Sequence, residues 1–146
     1  MMTTGTPDST PKPLEAPIDS KQLADVILHA ALEKKAFQPV ILDVVELVKY
    51  CDYFVIVSAR NPRQVRAIAD EVRHVLKKDY SLLPISVEGA AGGNWLLVDF
   101  DDVVLHVFQE SSRGFYDLEG LWSEAPRLPV PEVDEVDEDR PLFSLP

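Results

Sequence analysis

Leu23, Val26, Ile27, Ala30 and Ala31 recur at i, i+3, i+4, i+7 and i+8, which places them on one face of a helix. Ser20 stands where an N-cap is needed, and the pattern runs out near Phe37, ahead of Pro39. Pro39 to Val44 is short and β-branched and predicts a strand. After a polar connection through Lys49, the run Tyr53-Phe-Val-Ile-Val57 is almost continuously apolar. Such a run suits a strand buried on both faces, at the centre of a sheet. Asn61-Pro62 combines an N-cap with proline at the first helical position. Val65, Ile68, Ala69, Val72, Val75 and Leu76 then follow at helical spacing, and the pattern lapses at Lys77-Lys78.

Pro84 to Glu88 predicts a short strand, and Ala90 to Gly93 a loop of small residues. Asn94 to Phe100 and Val103 to Gln109 read as two strands, and the tight Asp101-Asp102 connection makes them a hairpin. Ser111 or Ser112 can cap a last helix that carries Phe115, Leu118 and Trp122 at i, i+3 and i+7. The order αββαβββα predicts a single-domain α/β sandwich with a mixed sheet over residues 20–128. The order of strands within the sheet does not follow from the pattern.

The flanks differ from this body. Residues 1–19 are rich in Pro, Thr and Ser and read as a flexible leader, and residues 129–146 read as a flexible acidic tail. That tail sets six acids against Arg140, whereas 20–128 holds 12 basic and 16 acidic residues, within a net charge of −11. An acidic body gains little from releasing the counterions of a phosphate backbone, so no dominant direct nucleic-acid binding is expected. A basic protein is the easier partner. No apolar run approaches the roughly 20 residues that span a bilayer, and no secretory signal or transit peptide is visible. With Cys51 as the single cysteine no internal disulfide forms, and a cytoplasmic location is expected.

Candidate chemistry is sparse. His29, His74 and His106 have no second His, Cys or acid at a metal spacing, so neither metal nor cofactor is expected. His106 reads as a half-buried sheet histidine, and Cys51 as a core or boundary residue. Ser58 ends a strand before a helix but lacks the G-x-S-x-G of a nucleophile elbow. Arg60 and Arg63 flank a helix start that could receive an anion, although no glycine-rich loop accompanies them and Pro62 removes one donor. Asp43, Asp99, Asp101 and Asp102 are either hairpin-turn residues or, in the alternative reading, Mg²⁺ ligands of a nucleotidyltransferase using Asp99 and Asp101. Trp122 is expected to pack on the body. Trp95, directly after Gly92-Gly93-Asn94, is a core plug or an interaction anchor, and composition alone favours the plug.

Six segments together resemble the ribosomal silencing factor family, related to Iojap. They are D-Y-F-V-I at 52–56, R-Q-V-R-A-I-A-D-E-V at 63–72, V-E-G at 87–89, N-W-L-L-V-D at 94–99, D-V-V-L-H-V-F at 102–108 and R-x-F-Y-D-L-E-x-L-W at 113–122. The resemblance runs from about Leu23 to Arg127. It implies a nucleotidyltransferase-related fold used without catalysis, and a translation repressor rather than an enzyme. It further implies binding to the fourteenth protein of the large ribosomal subunit at the intersubunit face, obstruction of subunit joining, and homodimer formation. The family's partner-contact tryptophan and the residue after it correspond to Trp95 and Leu96, which turns Trp95 from plug to anchor. Asn94 and Asp99 are added as neighbouring contacts. Adjacent strand residues face opposite ways, so Trp95 and Leu96 reach one partner only at an edge or an irregular strand entry.

Overall fold

The computed structural model describes residues 18–89 and 91–133. Most of the leader and tail, with Leu142 and Phe143, lies outside the described residues. Helix α1 (Ser20–Glu33) is capped by Asp19 rather than Ser20. The Asp19 carboxylate accepts from the Gln22 amide at 2.8 Å, and the Gln22 side chain accepts from the Asp19 amide at 3.1 Å. This reciprocal box satisfies two amides that no helical carbonyl reaches. The helix stops earlier than its apolar pattern does. Lys35 adopts a left-handed φ of 68°, and the Ala36 amide turns back to the Ala31 carbonyl at 3.3 Å. That frees Phe37 to open strand β1 (Phe37–Asp43).

Strand β2 (Tyr53–Ala59) leads into helix α2 (Pro62–Tyr80). Asn61 caps it as its position predicts, its side chain accepting from the Gln64 amide at 2.8 Å. The helix continues past Lys77-Lys78 because these lysines sit exposed in the last turn, where cations suit the helix dipole. Asn61→Ala is expected to cost about 1 kcal/mol and to lower the thermal midpoint by about 4 °C in a melt followed by circular dichroism.

Next come β3 (Ser86–Gly89), a 3₁₀ turn (Ala91–Gly93), β4 (Trp95–Asp99) and β5 (Val103–Gln109). Helices α3 (Glu110–Tyr116) and α4 (Leu118–Leu121) and the two-residue β6 (Arg127–Leu128) close the described chain. The sheet runs β3-β4-β5-β2-β1-β6, with β2 and β5 parallel and every other neighbouring pair antiparallel. The expected element order holds, with two differences. The last helix is broken at Asp117, which takes a left-handed φ of 46°, and β6 adds a sixth strand.

Strand β2 lies inside the sheet, and Phe54 through Ala59 are all buried. Alternation then divides the core into two. Val55, Val57, Leu105 and Val107 meet Ile27, Leu28, Ile68, Val72 and Leu76 of α1 and α2. Leu42, Phe54, Ile56, Val104 and Phe108 point to the other face, where Val44, Ala125, Leu118 and Trp122 cover them. Each fully buried Ile, Leu or Phe contributes about 2 kcal/mol, so both layers are needed. Just outside 20–128, Ile18 and Val130 are half-buried against the first of these cores.

Candidate docking surface

The antiparallel and parallel registers bring Phe37, Ala59, Gln109, Trp95 and Gly89 to one end of the sheet. Here Gly92 and Gly93 take φ values of 89° and 74°, a conformation only glycine adopts without strain. A Cβ on Gly93 would lie 3.2 Å from Pro62 Cβ and 3.3 Å from Arg66 Nη1, so the turn packs on the start of α2. The Asn94 carbonyl then accepts from the Gln109 amide at 2.8 Å, which aims β4 and its first residue, Trp95.

Trp95 is half-buried on the face away from α1 and α2. Its ring stacks on His106 and Phe108, each 6.2 Å between centroids, and tilts against Tyr116 at 6.1 Å. Nε1 donates to His106 Nδ1 at 3.4 Å. His106 is only 6% exposed, more enclosed than the half-buried position its strand pattern predicts. Burial lowers its pKa to about 4, so the imidazole is neutral near pH 7 and free to accept that bond. Phe54 meets His106 edge-on at 5.3 Å and Trp122 at 5.9 Å, so Trp122 packs on the body as expected. Outward from this stack, Tyr116 is 44% exposed and Phe115 82%. Trp95 is thus braced by three aromatic rings and remains partly exposed.

The remaining expected contacts are not gathered beside it. Leu96 points to the opposite face, half-buried against the helix layer. Its partner in β3 is Gly89, and the Leu96 side chain lies over that glycine, where a Cβ would come 2.8 Å from Leu96 Cδ2. Leu97, rather than Leu96, shares the Trp95 face. Asn94 sits at the strand entry with Oδ1 buried and without a hydrogen-bond partner among the described residues. Asp99 lies at the far end of β4, where its carboxylate accepts from the Asp101 amide at 2.8 Å and holds the hairpin turn. Among the described residues, no group of three or more His, Cys, Asp or Glu side chains could hold a metal ion.

Two nucleophile candidates have structural work. Ser58 Oγ donates to Gln38 Oε1 at 2.8 Å and accepts from Arg113 Nη1 at 2.9 Å. Cys51 is buried, and burial, followed by the nearby Asp99 charge, pushes its thiol up to about 12, where no thiolate forms near neutrality. Arg113 is the residue that sequence reasoning missed. It is buried, donates to the Gln38 carbonyl, and pairs with Glu119 at 2.7 Å. Burial pushes the Glu119 carboxyl up, but the hydrogen bond and charge of Arg113 outweigh it and hold the pKa below the ordinary value. This clasp spans the break at Asp117, whose side chain accepts from the Gly120 amide at 3.1 Å. The break turns Phe115 out to the surface while Leu118 and Trp122 pack inward, so the three do not share one helical face.

The model of the family described as "Ribosomal silencing factor during starvation" matches residues 17–142. The chain belongs to this family. It is 33% identical over 116 residues to the ribosomal silencing factor RsfS of Halalkalibacterium halodurans, covering 80% of this chain and 98% of the relative. A mouse protein named "Mitochondrial assembly of ribosomal large subunit protein 1" is 30% identical over 112 residues, which are 73% of this chain and 47% of the mouse protein. A crystal structure from Chromobacterium violaceum shares the fold with a TM-score of 0.69 at 27% identity, covering 84% of this chain and all of the other. The family's name describes a factor that silences ribosomes during starvation. Of the segments that resemble the family, 63–72 forms the capped start of α2, and 113–122 forms the Arg113–Glu119 clasp that supports Trp95 through Tyr116.

Proposed function

We propose that this chain binds the large ribosomal subunit through the Trp95 surface and keeps the small subunit away by its bulk. The observation that carries the reading is the half-buried indole, braced from behind by His106 and Phe108 and continued outward by Tyr116 and Phe115. Anchors of this kind, rigid and already partly desolvated, dominate the energy of protein interfaces. The contact is the fourteenth protein of the large subunit, reached in the cytoplasm, and the chain acts as a repressor rather than as an enzyme. The name of the mouse relative supports the large subunit as the particle concerned.

Leu96 joins Trp95 only if the partner wraps the end of β4 and touches both faces, since Leu96 lies over Gly89 on the helix side. Asn94 stands at that same end, whereas Asp99 is four residues away, about 13 Å along the strand, and contributes at the rim. Homodimer formation belongs to the same reading, and β3, the outer strand beside exposed Leu83 and Ile85, offers a second copy an unpaired edge.

The test is co-sedimentation with purified large subunits. Trp95→Ala is expected to weaken binding by about 30-fold or more, the equivalent of about 2 kcal/mol. Because Trp95 also packs on Phe108, Phe115→Ser is measured beside it, since a side chain 82% exposed can be cut without touching the core. Unchanged affinity in both variants would overturn the Trp95 surface as the docking site.

A further inference from the structure

The end of the sheet that presents Trp95 also gathers a group of positively charged side chains. The Gln64 side chain donates to the Lys34 and Lys35 carbonyls at 2.9 and 3.1 Å, tying the turn after α1 to the first turn of α2. Lys34, Lys35, Arg63 and Arg66 are therefore brought round one corner, all exposed. Arg60 lies beside them with its guanidinium 5.1 Å above the Phe37 ring. Among the described residues, none of Lys34, Lys35, Arg63 and Arg66 forms an ion pair. The acids nearest to them in sequence are Glu33, beside Lys34, and Asp70, one helical turn from Arg66 and 3.8 Å from Arg73, fewer than the four cations. The other end of the sheet is the reverse. Asp43, Asp52, Asp99, Asp101 and Asp102 stand at or beside the strand termini there.

The net charge of −11 thus hides a polarised molecule. A strand of this length separates the two ends by about 20 Å, more than twice the screening length of about 8 Å at physiological salt. A phosphate near Lys34 and Arg63 accordingly feels the local cations and little of the distant aspartates. Arg66 Nη1 also lies 3.3 Å from the Cβ position of Gly93, in the turn that launches Trp95, so the charged corner and the indole are neighbours.

We infer that the corner of Lys34, Lys35, Arg63 and Arg66 is a second contact surface that binds the phosphate backbone of ribosomal RNA while Trp95 engages protein. The inference rests on the large-subunit reading above, since RNA is the polyanion that a ribosomal particle places beside its proteins. The contact is backbone-directed and reads no base sequence, because exposed lysines and arginines without a base-reading element supply charge alone. Its signature is salt dependence. Each phosphate contact adds about 0.9 to the slope of log affinity against log salt on duplex nucleic acid.

The experiment measures binding of the full chain to purified large subunits across a salt series. The variants are Lys34→Gln/Arg63→Gln/Arg66→Gln, Trp95→Ala, and the control Lys77→Gln/Lys78→Gln. Lys35 is left alone because of its left-handed backbone. The triple variant is expected to bind about 10-fold or more weakly at low salt, with a slope reduced by about 2–3. Trp95→Ala is expected to lose affinity with its slope nearly unchanged, and the control to match wild type. A triple variant with the wild-type slope and affinity would overturn the phosphate contact while leaving the ribosome reading intact. An equal fall in slope for the control would overturn it too, because net charge rather than this corner would then be responsible. Wild-type protein that does not bind large subunits at all would sink both readings together.

Discussion

Arg113→Ala is expected to lower the free energy of unfolding by about 3 kcal/mol or more, with a matching fall in the urea midpoint and little change in slope. Arg113 is 8% exposed, and loss of its guanidinium would strand three acceptors. Glu119 would keep a largely enclosed carboxylate without its cation, and the Gln38 carbonyl and Ser58 hydroxyl would each lose a donor. The cost comes from these unpaired groups rather than from the worth of the pair itself. Arg113→Met/Glu119→Leu should therefore regain a large part of what the single substitution loses, since two apolar chains can occupy the space of a buried ion pair. A single variant less than 1 kcal/mol below wild type would show that the clasp is solvated and does not hold α3. The consequence for docking is direct. Arg113 ties α3 to β1 and β2, and α3 carries Phe115 and Tyr116 to the edge of the Trp95 stack.

What the sequence made legible follows the range of the interactions involved. Asn61-Pro62 is a local signal, and the helix begins there. The run Val103 to Gln109 is apolar on both faces, and β5 has those bounds. Where boundaries moved, a contact distant in the chain had intervened. Strand β2 runs on through Ser58 because Gln38 and Arg113 satisfy that hydroxyl from other elements. Strand β6 exists only as Leu128 and Arg127 paired with Ile41 and Leu42, and two residues carry no periodicity. The break at Asp117 was hidden because Phe115, Leu118 and Trp122 fit a helix, while the Arg113–Glu119 pair that stabilises the bend is six residues apart, off any helical spacing. At the docking surface, alternation already set Trp95 and Leu96 on opposite faces, and the structure keeps them there. The charged corner was legible only in part. Arg60 and Arg63 marked the start of α2, but nothing in the sequence said that Gln64 would draw Lys34 and Lys35 beside them.

Acidification below pH 6.5 is expected to destabilise the protein through His106, by up to about 3 kcal/mol near pH 4. Burial among Phe54, Trp95 and Phe108 lowers the folded pKa to about 4 from an unfolded value of 6.5. Between those values the unfolded chain binds a proton that the folded chain refuses, so stability is complete above pH 6.5 and falls with pH at about 1.4 kcal/mol per unit. Asp102 acts in the opposite sense. Its pKa is raised by burial first, then by the Asp52 and Asp101 charges, so the folded state takes up that proton more readily at lower pH. The contribution of His106 is therefore read most cleanly from pH 5 to 6.5, by urea titration of wild type against His106→Leu. The wild-type curve should slope in that window, and the variant should be flat. Equal slopes would mean that His106 titrates normally and that its ring is not sealed behind Trp95. The neutral imidazole matters for docking because it accepts the indole N–H from behind. A protonated ring has no acceptor to offer Nε1, and the brace that turns the other side of Trp95 toward a partner would be lost.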